Sequence, residues 1–311
     1  MIEPRQPPPG LSQPNQAEVN SPAEFARWLE SMRPSLHRYC ARMTGSTFDG
    51  EDAVQDTLLK AMEAYDKFAN VEQPSAWLYR IAHNAVTDLL RRRAHHVAYA
   101  AEEEMELIPD DAPTHEERHA AQATLKLFMH LTPIQRSCVI LMDVLGYSLG
   151  ELCDITGSGL PAVKSSLRRG RMRLQQVAQE SMPSSRRKAM NPAERALLTA
   201  YTERFNAREF GAIRDMLAEE VRLDLVARTR MKGRTEVGTY LHNYSGSSDW
   251  LFRIGWVEGR PAAIVSDPSA PDVPTYFVVL QWESGKVAGI RDFRYARYAT
   301  ELAEIEVAAR A

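Results

Sequence analysis

Apolar residues recur at three- and four-residue steps through much of the first 180 positions, whereas beyond 220 they alternate with polar ones, so the chain passes from helical to strand periodicity. Leu78, Ile81, Ala82, Ala85, Val86 and Leu89 form one apolar stripe that predicts a helix over about 75–93. Its opposite face carries Arg80, Asn84, Thr87 and Arg91 at i, i+4, i+7 and i+11, side chains able to grip phosphates or base edges. A solvated face, with Arg91 to Arg93 complementing the C-terminal dipole, accounts for the same row.

Two helix starts follow from capping boxes. Thr132-Pro-Ile-Gln135 and Ser148-Leu-Gly-Glu151 each place a hydroxyl before the first turn and a Gln or Glu that reaches back. The second of these helices is short and ends at Gly157; after Ser158-Gly159-Leu160 another begins at Pro161. There Val163, Leu167, Gly170, Leu174 and Val177 form the inner stripe, and Lys164, Ser165, Arg168, Arg169, Arg171 and Arg173 occupy the other faces. A short helix, a tight glycine turn and a basic helix make a helix-turn-helix pattern. Residues 160–175 hold five basic side chains and no acidic one, so attraction to phosphate is locally unopposed.

From 192 onward, helices over 193–208 and 212–219 precede alternating strands over 221–226, 251–257, 262–265, 276–282 and 287–295. Glu283-Ser-Gly-Lys286 reads as a hairpin turn. Helices before a curved antiparallel sheet give an α+β domain.

At 311 residues, 44% hydrophobic and 25% charged, the chain has room for two or three domains with sizeable cores. The net charge of −3 argues against a nucleic-acid binder only until it is resolved by segment: residues 96–118 carry −7 and residues 119–190 carry +6. The expected organisation is a Pro/Gln-rich tail over 1–20, an all-α domain over 21–95, an acidic linker over 96–118, a helix-turn-helix domain over 119–180, a basic linker over 181–191 and the α+β domain over 192–311. Cys40, Cys138 and Cys153 lack metal-ligand spacing and read as reduced thiols. The N-terminal residues have no secretory pattern and the longest apolar runs are about five residues, against the ~20 of a membrane span, so a cytoplasmic protein without a membrane partner is expected.

Several strings together resemble an extracytoplasmic-function sigma factor of the sigma-70 family. GEDAVQDTLLKAMEAYDKF and QPSAWLYRIAHNAVTDLLRRR are similar to its region 2, and LTPIQRSCVILMDVLGYSLGELCDITGSGLPAVKSSLRRGRMRL to its region 4. The short interval between them leaves no room for a middle domain. The last 120 residues resemble the SnoaL-like cone fold, chiefly in element order and the segment GRTEVGTYL. The resemblance implies a factor without enzymatic activity or cofactor whose partners are core RNA polymerase, through the β′ clamp and the β subunit, and promoter DNA. It assigns clamp docking to Asp52, Gln55 and Asp56. It assigns capture of the melted −10 element to Phe68, Asn70, Arg80, Asn84, Thr87 and Arg91, with Phe68 equally well read as a core residue and Trp77 as mainly packing. Recognition of the −35 element falls to Lys164, Ser165, Arg168, Arg169 and Arg171. Ala162 and Ser166 depart from the Thr and Arg frequent in relatives, and the acidic linker would thread the RNA path of polymerase.

Candidate pocket residues in the last domain are Tyr201, Asp224, Tyr240, His242, Trp250, Arg253 and Trp256, with Asp224 and His242 as a conceivable acid/base pair. No nucleophile or metal motif accompanies them. Regulation in cis is the expectation, because a short tether gives the domain a high effective concentration for the DNA-reading part. Two alternatives stand: a one-component regulator sensing a small-molecule ligand in the pocket, and a cyclase or isomerase with a DNA-binding appendage.

Overall fold

Ser21 caps helix α1 (Pro22–Thr44): its hydroxyl accepts from the Glu24 amide at 3.3 Å, Pro22 fills the first turn, and Gly45 ends the helix at a left-handed φ of 74°. α2 (Thr47–Glu63) folds back so closely that a Cβ on Gly50 would lie 2.6 Å from the Ala41 Cα. α3 (Tyr65–Phe68) and α4 (Pro74–Ala98) complete this group. On α4, Leu78, Ala82, Ala85 and Val86 are buried as their spacing predicts, and Ile81 and Leu89 are half-buried. The computed structural model describes residues 21–68, 71–98, 125–179, 190–246 and 250–308, and divides into two units, 1–183 and 184–311.

Within the first unit, α5 (Leu125–Phe128) and α6 (Pro133–Val139) lead into a π-helical segment, Ile140–Val144, then α7 (Leu149–Thr156) and α8 (Leu160–Gln179). Both capping boxes form: the Thr132 amide donates to Gln135 Oε1 at 3.2 Å and the Ser148 amide to Glu151 Oε2 at 2.8 Å. Gly157 makes the turn at φ 66°, a conformation that favours glycine. The helices on either side of residue 118 bury one continuous apolar cluster, with Phe128, Val139, Leu141 and Leu152 joined to Tyr39, Leu78 and Tyr79. A polar knot sits inside it. The Tyr39 hydroxyl lies 3.0 Å from His83 Nδ1 and 2.9 Å from Ser137 Oγ, and Ser137 Oγ lies 3.1 Å from the same nitrogen. Beside it the buried Arg136 guanidinium donates to the Met43 carbonyl and, at 2.8 Å, to that of Leu131, and burial lowers its pKa to about 10.

In the second unit, α9 (Pro192–Asn206), α10 (Phe210–Met216) and α11 (Arg234–His242) accompany a seven-stranded sheet ordered β2-β1-β6-β5-β4-β3-β7. The strands are β1 (Leu217–Leu225), β2 (Thr229–Lys232), β3 (Leu251–Val257), β4 (Arg260–Ser266), β5 (Pro274–Glu283), β6 (Lys286–Asp292) and β7 (Ile305–Val307). The sheet is mixed rather than wholly antiparallel: β1 runs parallel to β6, a pairing that the long excursion between them through α11 and four strands permits. β2 and β7 were too short to show alternation. At the β5–β6 turn, Ser284 and Gly285 both take positive φ, 50° and 74°, as a two-residue hairpin requires. Cys40 and Cys138 are buried free thiols, and Cys153 is half-buried. Among the described residues, no helix is long and apolar enough to cross a membrane.

Candidate nucleic-acid interface

The inner stripe of α8 is buried as its spacing requires, and Gly170 lets the helix approach α6 so closely that a Cβ there would lie 2.8 Å from Val139. That packing turns Lys164, Ser165, Arg168 and Arg169 outward on the first half of the helix, all exposed, directly after the turn at Gly157. This is the geometry in which a second helix offers its first turns to a major groove. Ala162 is exposed, while Ser166 is buried and faces the core. Arg171 departs from expectation. Its Nε and Nη2 donate to the two Asp143 oxygens at 3.0 and 2.5 Å, and the Asp143 side chain is fully buried. A cation committed to a buried carboxylate anchors α8 to the π-helical segment, which removes Arg171 from the outward set.

Asp52 is exposed on α2, with Gln55 and Asp56 half-buried beside it. The same face continues into two apolar side chains left outside the core, Leu59 at 58% and Met62 at 42% exposure. Sequence periodicity did not single them out, since one polar and apolar row reads as an ordinary helix surface. Asp56 and Lys60 form an ion pair at 2.8 Å. On α4, Arg80 and Asn84 are exposed, Thr87 is half-buried, and Arg91 is exposed and pairs with Asp88 at 3.0 Å. Phe68 is a core residue instead of an open base platform. It is 3% exposed, and its ring centroid lies 4.6 Å from that of Phe25, 5.3 Å from Trp28 and 5.7 Å from Trp77. Asn70 lies outside the described residues.

Residues 28–96 match sigma-70 region 2 and residues 121–174 match sigma-70 region 4. The ECF RNA polymerase sigma factor SigM of Mycobacterium tuberculosis is 36% identical over 140 residues, covering 45% of this chain and 69% of SigM. The chain belongs to the extracytoplasmic-function sigma factors. SigG of the same organism, another ECF sigma factor, is 29% identical over 275 residues, covering 77% of this chain and 72% of its own, so that likeness extends past region 4. The crystal structure of M. tuberculosis SigJ, 16% identical, covers 88% of this chain and 95% of its own at a TM-score of 0.35. As a sigma factor the protein acts in transcription initiation with RNA polymerase and promoter DNA.

The second unit of this sigma factor brings together three of its seven expected pocket residues. Tyr201, Tyr240 and Trp250 join one aromatic cluster, with Phe205 5.5 Å from Tyr201 and 5.4 Å from Trp250, and Tyr240 5.8 Å from Tyr244. Two further residues complete it. The Tyr244 hydroxyl donates to Asp292 at 2.8 Å, and burial raises the Asp292 pKa although the Arg294 amide also donates, at 2.9 Å. Asp292 was legible in principle, since it shares the inward parity of Ile290 on β6. Asp224 and His242 do not form an acid/base pair. Asp224 points outward between Arg230, at 3.4 Å, and Arg291, at 3.6 Å, while His242 is exposed at the end of α11 with its ring 6.3 Å from Phe210. Arg253 is held by the Pro271 carbonyl and, at 3.4 Å, by Asp272, and Trp256 is half-buried in β3 opposite Glu306. A cleft of about 430 Å³ between α9, α10 and the β5–β6 turn is bordered by Arg204, Asp215 and Lys286 and by none of the seven.

Proposed function

We propose that this sigma factor docks on the β′ clamp of core polymerase through Asp52, Gln55 and Asp56 together with Leu59 and Met62, reads the −35 element with Lys164, Ser165, Arg168 and Arg169, and meets the melted −10 strand along Arg80, Asn84, Thr87 and Arg91. The observation that carries this reading is the outward quartet on α8, held at the start of a recognition helix whose inner stripe is buried. Guanidinium and ammonium groups there suit guanine edges, each good pair discriminating by ~1–3 kcal/mol. The mixed polar and apolar α2 face suits a protein partner, because exposed Leu and Met gain from burial while the carboxylates set register.

The C-terminal unit, whose SnoaL-like resemblance implies no fixed activity, modulates initiation in cis in this reading. Its aromatic interior favours that role over ligand chemistry, since the tyrosines and Trp250 pack against one another. Run-off transcription with purified core polymerase compares the full chain with residues 1–190. Promoter-specific transcripts from both, differing in yield, fit the proposal. Equal yields on every promoter would remove the regulatory role, and no specific transcript from either would remove the promoter reading.

A further inference from the structure

The outer face of the β2-β1-β6 edge concentrates positive charge that the domain as a whole does not show. Residues 192–311 carry sixteen basic and seventeen acidic side chains. On β1, burial of Val221, Leu223 and Leu225 turns Arg222 and Asp224 outward. In the ladder Arg222 stands opposite Lys232 and Asp224 opposite Arg230 of β2, while Asp224 is also level with Arg291 of β6. Side chains directly paired across strands project from the same face, so these five lie together. At the adjoining hairpin tip, the Arg228 guanidinium lies 4.3 Å over the ring of Tyr295, itself 40% exposed.

The acidic counterweight is small. Asp224 sits between Arg230 and Arg291, and Glu220 meets Lys232 at 2.8 Å at the rim, where both are largely exposed. Glu236 adds a third carboxylate nearby, accepting from the Lys232 amide at 3.2 Å. Five cations still outnumber these acids, and four of the five are arginines, whose planar forks match phosphate oxygens bidentately. The tether limits what this face can meet. α8 ends at Gln179 and α9 begins at Pro192, and residues 180–191 span roughly 40 Å at full extension. One turn of duplex rises about 34–36 Å, so the tether is comparable in length to one turn of the DNA held by α8.

We propose that Arg222, Arg228, Arg230, Lys232 and Arg291, with Tyr295, form a second DNA-backbone contact surface that grips the duplex flanking the element held by α8. The inference rests on α8 binding DNA, and the surface is a positioning contact, since phosphates carry no sequence. It would lengthen the footprint of the sigma factor and couple the C-terminal unit to initiation through DNA.

The test uses the full chain and fluorescence anisotropy on two duplexes, one covering the α8 element and one extending about one turn, ~10 bp, beyond it on each side. In the variant Arg222→Gln/Arg228→Gln/Arg230→Gln/Lys232→Gln, binding to the longer duplex is expected to weaken about tenfold at low salt. Its log K against log salt slope should be shallower by about three to four, because each of the four phosphate contacts contributes ~0.9. Binding to the short duplex should be unchanged. An Arg222→Lys/Arg228→Lys/Arg230→Lys variant, which keeps the charge and loses the forks, should bind the longer duplex more tightly than the Gln variant and less tightly than the wild type. Unchanged affinity and slope for the Gln variant on the longer duplex would overturn the proposal. So would unchanged DNA binding with weakened association to core polymerase, which would give the face an acidic protein partner. Lys164→Ala/Arg168→Ala reports separately on α8, because it should weaken both duplexes alike.

Discussion

Tyr39 on α1 and Ser137 on α6, 98 positions apart, share a 2.9 Å hydrogen bond in a fully buried site where each also meets His83. Parting the two sigma regions from this arrangement exposes an apolar interface and unmakes both polar contacts of Ser137, leaving Tyr39 with His83. Tyr39→Phe keeps the ring packing and leaves Ser137 and His83 to each other. It should cost ~1–3 kcal/mol, the range for a disrupted buried polar group, read as an earlier urea midpoint for the helical unit.

The same knot gives a pH dependence with a defined sign. Burial holds the His83 imidazole below the ordinary histidine range, so the unfolded chain takes up the proton first. This contribution to stability is complete above about pH 6.5 and is lost as pH falls below that value toward the folded pKa. Urea midpoints should fall between about pH 7.5 and 5.5, and His83→Gln should flatten that part of the slope.

Arg168 and Arg171 are three residues apart and should behave as opposites. Arg168→Ala should weaken promoter binding by ~1–3 kcal/mol at matched salt with little change in melting. Arg171→Ala removes the bidentate cation from a fully buried Asp143 side chain and should destabilise the helical unit by ~3–5 kcal/mol. Anisotropy and thermal melting on both variants separate the roles.

Leu59 lends itself to a clean interface test because it is 58% exposed. Leu59→Asp should leave melting within ~0.5 kcal/mol of the wild type. Association with core polymerase, measured by native gel or light scattering, should weaken about tenfold, as loss of a central apolar contact predicts.

In the second unit, Tyr244→Phe removes a donor from buried Asp292 and should cost ~1–3 kcal/mol in urea unfolding. Asp292→Asn should be milder, because burial already favours the uncharged carboxyl, and an amide fills similar space.

What was legible in the sequence were features set by nearest neighbours along the chain. The capping boxes at Thr132 and Ser148, the Gly157 turn and the α8 stripe need only a few consecutive residues, and each appears where its spacing placed it. Whatever depends on a distant partner was not. Arg171 looks like its basic neighbours until Asp143, 28 positions away, claims it. Phe68 reads equally as a base platform or a core residue until Phe25 and Trp28 close over it. The parallel β1–β6 pairing follows from sheet register over some seventy residues, which no local window contains.

The central claim is that α8 reads promoter DNA within the polymerase holoenzyme. Its most direct test is hydroxyl-radical footprinting of core polymerase with the full-length protein on a fragment chosen by run-off transcription. The account predicts protection about one to two helical turns upstream of the melted −10 segment that is lost with Lys164→Ala/Arg168→Ala while polymerase association persists. Identical protection by wild type and variant would contradict it.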